Sequence, residues 1–348
     1  MGLSVAGILG AMEMKYNYVF FLTGFRLYKY MYQEMQKMEN VKIFWEKEDL
    51  LDMLPLFYKK TSRIYLSHKL NRIINMPNKK RWYEFAMRRI EFKNNLPICF
   101  VWHYNFYKEM KAGMLQDIKS IYPNARHVFM FSDPVFIEEK VIAELRKEVD
   151  IISVFDPKAA EKYNLLFLPN IYPMIESKSS DSEYDLCFVG TERGRENEII
   201  EMARACKEHS IKAKFVVHTK DYGKREIEND FNIEYIRSKI PYEEVKRLVE
   251  RSKCILELKI EPFNTCSLRV QEAVILKKKI LTNNPNIYQM PCCAEGSRGV
   301  AVYNKIDEIN WDFLKSKEEI DYNYDGEYSA KSLMKRIEDA LEKKSGAG

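Results

Sequence analysis

The most informative part of this 348-residue sequence reads Glu261-Pro-Phe-Asn-Thr-Cys-Ser-Leu-Arg-Val-Gln-Glu272-Ala-Val-Ile-Leu-Lys-Lys-Lys-Ile-Leu-Thr-Asn-Asn284. An apolar run at 254–258 precedes it and has the pattern of a buried strand, and a second such run lies at 279–282. Between the two runs the apolar residues recur with helical spacing, and Thr265 and Ser267 are good N-cap residues for that helix. A strand, a helix and a strand in succession indicate a parallel α/β sheet.

The start of this helix carries a set of polar side chains that suits a phosphorylated ligand. Free backbone N–H groups and the positive end of the helix dipole bind anions. The hydroxyls of Thr265 and Ser267 and the guanidinium of Arg269 suit a diphosphate, and the carboxylate of Glu272, one turn on, can accept hydrogen bonds from ribose hydroxyls. The alternative is a capped amphipathic helix of any α/β domain, and the motif alone leaves both interpretations open.

The segment resembles the donor-sugar-nucleotide site of GT-B glycosyltransferases, which often carry a Glu-Pro-Phe-Gly loop and then a Glu-Ala pair. Here Asn264 replaces the glycine, and the spacing from Glu261 to Glu272 is longer than usual. The segment is also similar to bacterial polysaccharide and spore-coat glycosyltransferases, whose Gly-x-Thr-x-Arg-x-x-Glu-Ala pattern corresponds loosely to residues 264–273. The resemblance implies an α/β protein of the GT-B fold, with two Rossmann-like domains facing across a cleft and Asn264 among the donor-binding residues.

Apolar runs and helical patterns alternate along both halves of the chain, as expected for parallel sheets with crossover helices. The run at 63–66 fits a strand or part of a helix. A polar, loop-like stretch at 176–183 interrupts the alternation and predicts a linker. We therefore expect an N-terminal domain at 14–176, a nucleotide-sugar donor domain at 183–327, and a helix at 328–344 that returns to the first domain as in GT-B proteins.

The composition is that of a globular protein, with 46% hydrophobic and 31% charged residues. No apolar run reaches the roughly 20 residues needed to cross a bilayer. The seven cysteines lack the spacing of a metal site, and several lie in apolar runs where cysteine is usually a small core residue. We expect a cytoplasmic protein without disulfides.

Several classes of enzyme are poorly supported by the sequence. It contains no Gly-x-Gly-x-x-Gly, no Walker A sequence and no Gly-x-Ser-x-Gly, so a nicotinamide or flavin cofactor is not expected. It also lacks the Asp-x-Asp triplet that commonly holds a metal ion in GT-A glycosyltransferases. We expect an enzyme without cofactor or metal, in which helix ends, hydroxyls and arginines offset the charge of the leaving group.

Further donor-binding candidates follow other strands of the second half. Gly190, Thr191 and Arg193 lie between a strand and a helix, where a backbone can approach phosphates and an arginine can reach them. Arg195 is a similar candidate, and a plain strand–turn–helix connection explains either arginine equally well. His218, at the end of its strand, is another candidate. Residues 234–245 resemble the part of the GT-B donor domain that holds the base, which implies that the backbone of Ile236 and Ser238 would contact the base and that Tyr242 would pack beside it; the alternative for Tyr242 is a helix-start residue without a ligand.

The catalytic base is expected at the carboxyl ends of strands in the first half, where open α/β sheets bind ligands. An inverting transferase needs a group that removes the proton from the acceptor hydroxyl. Asp133 and His103 both follow strong strand patterns and are the two candidates. Because Asp133 precedes a proline, shaping a turn or capping a helix remains an alternative for it.

One segment of the first half is strongly basic. Residues 59–93 contain eleven basic and two acidic side chains, a local net charge of +9, with Trp82, Tyr83, Phe85 and Phe92 interleaved. Such a segment can lie on an anionic membrane or hold a lipid-linked pyrophosphate acceptor. No nucleic-acid-binding module accompanies it, so nucleic acid is not an expected partner. A solvated helical face is the alternative.

These observations predict a glycosyltransferase that moves a sugar from a nucleotide-sugar to a glycan or lipid-linked glycan in surface polysaccharide synthesis. It would work in the cytoplasm or peripherally at the inner face of the membrane. Two alternatives stay open. One is an enzyme of the same fold that catalyses a different reaction, either a sugar-nucleotide epimerase or a polyol-phosphate transferase. The other is a non-catalytic regulator that retains the nucleotide site.

Overall fold

The structure is a computed structural model that describes residues 14–74, 76–77, 80–109, 114–131, 137–174, 182–223, 231, 233–261, 263 and 265–346. The described chain forms two compact units. The first unit contains residues up to 173 together with 330–346, and the second unit contains 174–329. Of the predicted linker at 176–183, only the last two residues are described.

The first unit is built on a six-stranded sheet in which every pair of neighbouring strands is parallel. The strand order is β2-β1-β3-β4-β5-β6, so the direction of winding changes between β1 and β3. All five residues of β1 are buried, as expected for a strand covered on both faces. The strands are β1 (Asn17–Phe21), β2 (Val41–Phe44), β3 (Ile98–His103), β4 (Arg126–Phe131), β5 (Ile151–Val154) and β6 (Leu166–Phe167).

Nine helices connect the described parts of these strands. The ambiguous run at 63–66 is helical, since all but its last residue lie in α3. The helices are α1 (Arg26–Met31), α2 (Lys47–Asp52), α3 (Leu56–Tyr65), α4 (His68–Ile73), α5 (Lys80–Met87), α6 (Tyr104–Glu109), α7 (Met114–Ile121), α8 (Glu139–Glu148) and α9 (Pro157–Tyr163).

The aromatic residues interleaved with the basic segment lie mainly in the core of the first unit. Tyr83 is buried, and Trp82, Phe85 and Phe92 are half-buried against the core. These four rings are therefore packed mainly against the core, although they alternate with basic residues along the chain. Amphipathic helix α5 turns its apolar side inward, which a count of residue types along the chain could not reveal.

The second unit also has a six-stranded, fully parallel sheet, with the order β12-β11-β10-β7-β8-β9. Counted from its own first strand, this is the 3-2-1-4-5-6 order of the dinucleotide-binding fold, with the change of winding between β7 and β10. The strands are β7 (Tyr184–Thr191), β8 (Ala213–His218), β9 (Glu234–Ile236), β10 (Ser252–Glu257), β11 (Lys279–Thr282) and β12 (Val300–Val302). The described helices are α10 (Glu196–Glu208), α11 (Tyr242–Glu250), α12 (Leu268–Ile275) and α13 (Trp311–Lys315).

Two Rossmann-like sheets confirm the predicted α/β class. The cleft between the domains stays a prediction. No helix in the described ranges combines the length and the apolar character needed to cross a bilayer.

Helix α12 begins and ends with recognisable caps. Ser267 is its N-cap, as predicted from the sequence. At the other end Lys277 adopts a left-handed conformation, with φ of 55°. The N–H of Lys278 donates to the carbonyl of Ala273 at 2.7 Å, and the N–H of Lys277 donates to that of Val274 at 3.2 Å. This Schellman-type ending turns the chain directly into β11.

The last helix, α14 (Ala330–Gly346), belongs to the first unit. Its Glu338 is buried, and one carboxylate oxygen accepts from the backbone N–H of Lys15 at 3.0 Å and from the hydroxyl of Tyr18 at 3.1 Å. Tyr18 lies in β1 and is itself fully buried. A single carboxylate thus ties the end of the chain to the central strands of the first sheet.

Replacing Glu338 by alanine should therefore destabilise the first unit. We expect the Glu338→Ala variant to lose about 2 kcal/mol in free energy of unfolding, because buried donors lose a charged acceptor. The measurement is urea unfolding followed by tryptophan fluorescence. The matched control is Glu342→Ala in the same helix, where an exposed ion pair with Lys15 is lost and the change should stay below about 0.5 kcal/mol. Equal effects of the two variants would contradict this role of Glu338.

Candidate functional site

Three of the residues predicted to bind a donor lie at the switch point of the second sheet, together with Glu257. Strands β7 and β10 are neighbours there, and helices leave their carboxyl ends in opposite directions. In open α/β sheets the crevice at such a point binds ligands. Gly190 and Thr191 end β7, Glu257 ends β10, and Ser267 caps the helix that follows β10.

Arg195 links the two strand ends. Its side chain is buried, and its guanidinium donates to the carbonyl oxygens of Thr191, of Glu192 at 3.1 Å and of Leu258 at 2.8 Å. It also packs on the ring of Phe188. Burial lowers the pKa of Arg195. With its donors directed at three backbone carbonyls, Arg195 is a structural cross-link, and the expectation that it reaches phosphates is wrong.

Arg193 has the opposite environment. Its side chain is exposed, and its backbone is left-handed with φ of 49°, followed by Gly194 with φ of 79°. The two left-handed residues form the tight turn that carries the chain from β7 into α10. The turn leaves Arg193 at the surface while Arg195 enters the interior. Of the two arginines, only Arg193 is placed to contact a ligand.

Gly190 is required by close packing at the end of β7. A Cβ atom added at this position would lie 2.9 Å from the ring of Phe188. Thr191, next to it, is half-buried, and its carbonyl is taken by Arg195. Gly190 and Thr191 are therefore tightly packed at the end of β7. They offer a ligand only a small surface beside the turn.

Glu257 is a functional candidate that the sequence analysis missed. It is 3% exposed, at the last position of β10. One carboxylate oxygen accepts from the N–H of Ser267 at 3.2 Å, and the other accepts from the hydroxyl of Thr282. Burial raises the pKa of Glu257, and these hydrogen bonds partly offset that effect. A glutamate inside an apolar strand pattern was the available signal, since an unpaired carboxylate is rarely buried.

The start of α12 is thus partly occupied by the protein itself. Glu257 takes the N–H of Ser267, one of the donors that a bound anion would use. The hydroxyl of Ser267 makes no capping bond to the helix. Ser267 is therefore the N-cap by the position of its backbone, and its side chain does not cap the helix. Thr265 is half-buried, and its carbonyl accepts from the side chain of Asn284 at 3.3 Å. Asn264 lies outside the described residues.

Three of the predicted donor-binding residues lie close together, because Arg269 contacts both Glu272 and Tyr242. Arg269 forms an ion pair with Glu272 within α12, and its guanidinium lies 5.5 Å from the ring centre of Tyr242. Glu272 is fully buried. For Glu272 to contact ribose hydroxyls and Arg269 to contact a diphosphate, a ligand would have to open this pair.

His218, Ile236 and Ser238 lie at the carboxyl ends of the two outer strands, β8 and β9. His218 lines an open cavity of about 600 Å³ together with Lys220, Asp221 and Arg237. Its Nδ1 atom is buried and has no hydrogen-bond partner among the described residues. The carbonyl of Ile236 accepts from the N–H of Thr219 at 3.1 Å, and Ser238 is exposed. The cavity offers cationic side chains beside the switch point.

In the first unit, His103 ends β3 at the other switch point, while Asp133 lies outside the described residues. His103 is 2% exposed, and burial lowers its pKa to about 4, so its imidazole is neutral at neutral pH. Its ring packs against that of Tyr28 at 5.0 Å between centres. A neutral imidazole can accept a proton, but its lowered pKa makes it a weaker base than free histidine.

The first unit has a cavity at the carboxyl ends of β1 and β2. It has a volume of about 460 Å³ and is lined by Thr23, Gly24, Trp45 and Glu46, among others. Gly24 leaves room for the Glu46 carboxylate, which would lie 2.7 Å from an added Cβ atom. At the end of β5, Asp156 is buried and caps α9 through the N–H of Ala159 at 2.8 Å.

The sequence matches no family model and no curated protein sequence. Several solved structures are similar in fold. The crystal structure of the pneumococcal O-GlcNAc transferase GtfA in complex with UDP and GlcNAc is 12% identical, with a TM-score of 0.45 over 76% of this chain and 60% of that chain. AviGT4, a glycosyltransferase involved in avilamycin A biosynthesis, is 10% identical, with a TM-score of 0.48 over 76% and 77%.

T4 phage BGT in complex with its UDP-glucose substrate is 14% identical, with a TM-score of 0.43 over 94% of this chain and 98% of that chain. The chain spans between 54% and 60% of the length of the first three solved structures that it matches. The similarity is structural and the sequence identity is low.

The contrast between Arg195 and Arg193 can be tested by measuring stability. We expect Arg195→Met to lower the free energy of unfolding of the second unit by about 3 kcal/mol, because buried carbonyls lose a charged donor. The probe is the fluorescence of Trp311, which lies in that unit. The control Arg193→Met, at an exposed position two residues away, should change stability by less than about 0.5 kcal/mol. An Arg195→Met variant as stable as the control would exclude the cross-link.

The buried histidines of the first unit predict a dependence of stability on pH. Burial lowers the pKa values of both His103 and His127 to about 4, below the value near 6.5 of the unfolded chain. Above pH 6.5 neither the folded nor the unfolded state binds a proton at these histidines, so the first unit has its full free energy of unfolding. As the pH falls from 6.5 towards 4, only the unfolded chain takes up protons, so the first unit should lose about 3 kcal/mol for each histidine.

Urea unfolding of wild type and of His103→Gln, followed across this pH range, measures the effect. The variant should lose roughly half of the acid-dependent destabilisation, because His127 still contributes the remainder. A pH profile identical to that of the wild type would show that His103 is not the buried neutral group described here.

Proposed function

We propose that this chain is a glycosyltransferase that uses a nucleotide-sugar donor held by the second unit. The observation that supports this best is the switch point of the second sheet, which has the dinucleotide-binding strand order but no Gly-x-Gly-x-x-Gly turn. In its place stand an exposed arginine, Arg193, and a helix N-cap, Ser267, whose hydroxyl makes no capping bond to its own helix. A cation and a hydroxyl at this position suit the diphosphate of a nucleotide-sugar.

The chemistry follows from what these groups offer. Glycosyl transfer places negative charge on the departing nucleoside diphosphate, and preorganised donors stabilise such a charge. Arg193, the start of α12 and the cationic side chains beside His218 would supply them. The proposal therefore includes transfer without a metal ion. Opening of the pair between Arg269 and Glu272 would add a guanidinium for the diphosphate and a carboxylate for the ribose.

The acceptor hydroxyl would be deprotonated by a residue of the first unit. His103 and Asp133 stay the proposed bases for the acceptor hydroxyl, with the neutral imidazole of His103 in the correct protonation state to accept a proton. The acceptor we propose is a glycan or a lipid-linked glycan of surface polysaccharide synthesis.

A direct experiment tests the donor. The protein is screened by thermal shift against UDP-, GDP-, CMP- and dTDP-sugars, because binding to the native state raises its stability by mass action. Donors that bind are then incubated with glycan acceptors, and the release of nucleotide and the sugar product are measured. Binding with release and transfer supports the proposal. Binding without turnover would favour a regulator, and conversion of the donor sugar without transfer an epimerase.

The donor site can be tested by substitution at Arg193 and Ser267. We expect Arg193→Ala to weaken binding of the donor's free nucleoside diphosphate by about 1.5–3 kcal/mol, the range for hydrogen bonds to charged groups, and Ser267→Ala by about 1 kcal/mol. Isothermal titration calorimetry is the measurement. The matched control is Arg298→Ala, an exposed arginine of the same unit that lines a different cavity. Unchanged affinity in both site variants would remove the switch point from the donor site.

A further inference from the structure

Helix α3 in the first unit has its apolar side chains on the outside. Ser62 is the residue of this helix that is fully buried, whereas Leu56, Phe57 and Ile64 are 70%, 74% and 65% exposed. Positions 57, 60 and 64 follow the i, i+3, i+7 spacing of one helical face, so Phe57 and Ile64 lie on the same exposed face with Lys60 between them. A surface helix normally buries its apolar face, and this one presents it to the exterior.

The next helix extends the same surface. Ile73 and Ile74, at the end of α4, are 83% and 57% exposed. Of the nine large apolar side chains exposed in the described parts of the chain, six lie between residues 56 and 74. Single exposed apolar residues are common, but a cluster of this kind marks an interaction surface. We call residues 56–74 the α3–α4 surface.

The charge of the α3–α4 surface is of one sign. Lys59, Lys60, Arg63, Lys69 and Arg72 lie in it, and no acidic residue occurs between 56 and 74. Lys59 and Arg63 share the carboxylate of Asp52, at 3.0 and 2.6 Å. The side chains of Lys60, Lys69 and Arg72 are exposed.

We propose that the α3–α4 surface docks on an anionic lipid bilayer. Exposed Phe, Leu and Ile side chains beside Lys and Arg are what interfacial helices use, the apolar groups entering the acyl boundary while the cations meet the headgroups. Long basic side chains can lie along the interface with their charges in water. The site is monotopic, and binding is reversible and weakens as salt is added.

Other occupants fit this surface less well. A second copy of the chain would bring two clusters of five like charges together, which opposes association. A nucleic acid would match the charge but leave the apolar side chains in water. An anionic bilayer satisfies both features of the surface.

Flotation with lipid vesicles tests the proposal on the full chain. The probes are vesicles of phosphatidylcholine alone and vesicles mixed with phosphatidylglycerol. Wild type should float with the mixed vesicles, and less so at high salt. The charge variant Lys60→Ser/Lys69→Ser/Arg72→Ser should lose about 100-fold in partition coefficient, from about fivefold for each basic residue near the lipid.

The apolar variant Phe57→Ser/Ile64→Ser/Ile73→Ser should lose about tenfold or more, even at low salt. Since these side chains are exposed, the variants should fold, which circular dichroism checks. The matched control Lys140→Ser/Lys147→Ser/Phe167→Ser removes exposed residues of the same types from elsewhere in the first unit and should float like wild type.

Two results would overturn the proposal. One is failure of wild type to float with anionic vesicles. The other is an equal loss of flotation in the control and in the surface variants. The net charge of the protein would then explain the binding without a specific surface. A dimer that the apolar variant dissociates would assign the surface to a second copy instead. None of these measurements requires donor binding or sugar transfer, so the proposed function and the membrane surface can fail separately.

Discussion

The guanidinium of Arg195 is the contact on which the candidate site of the second unit depends. The chain leaves the carboxyl ends of β7 and β10 in opposite directions. The carbonyls of Thr191 and Leu258 lie at these two strand ends. Arg195 donates to both of these carbonyls. A lysine could not make this fork, because the rigid geometry of the guanidinium directs several donors at once. Arg195 thereby joins the carboxyl ends of the two strands at the switch point.

Two buried carboxylates at neighbouring strand ends also join elements through side chains. Glu192 accepts from the hydroxyl of Thr219 at 2.5 Å, between the ends of β7 and β8. Glu257 accepts from the hydroxyl of Thr282, between the ends of β10 and β11. Each pair joins neighbouring strands through side chains just where backbone pairing ends. Arg195, Glu192 and Glu257 are all buried, and their hydrogen bonds satisfy polar groups that would otherwise be costly to bury.

Much of the architecture could be predicted from the sequence, because buried parallel strands are continuous apolar runs and the runs at 18–22, 126–131 and 254–258 have few other interpretations. The site was less accessible. Arg193 and Arg195 are the same residue type two positions apart, and only the left-handed turn between them decides which is buried. Glu257 could not be identified as a site residue from the sequence, because its hydrogen-bond partners Ser267 and Thr282 are 10 and 25 residues away along the chain. The burial of the rings at 82–92 could not be predicted, because composition does not show which side of a helix faces the core.

The position of α14 has a consequence for the synthesis of the protein. The first unit is made of two separate stretches of chain, with the whole second unit inserted between them. Residues 330–346 leave the ribosome only after the second unit is complete. Domains generally fold as units while the chain grows. The second unit can therefore close first, while β1 still lacks the carboxylate of Glu338 that completes its surroundings. A chain that is truncated after residue 329 would contain a complete second unit and a first unit that lacks its last helix.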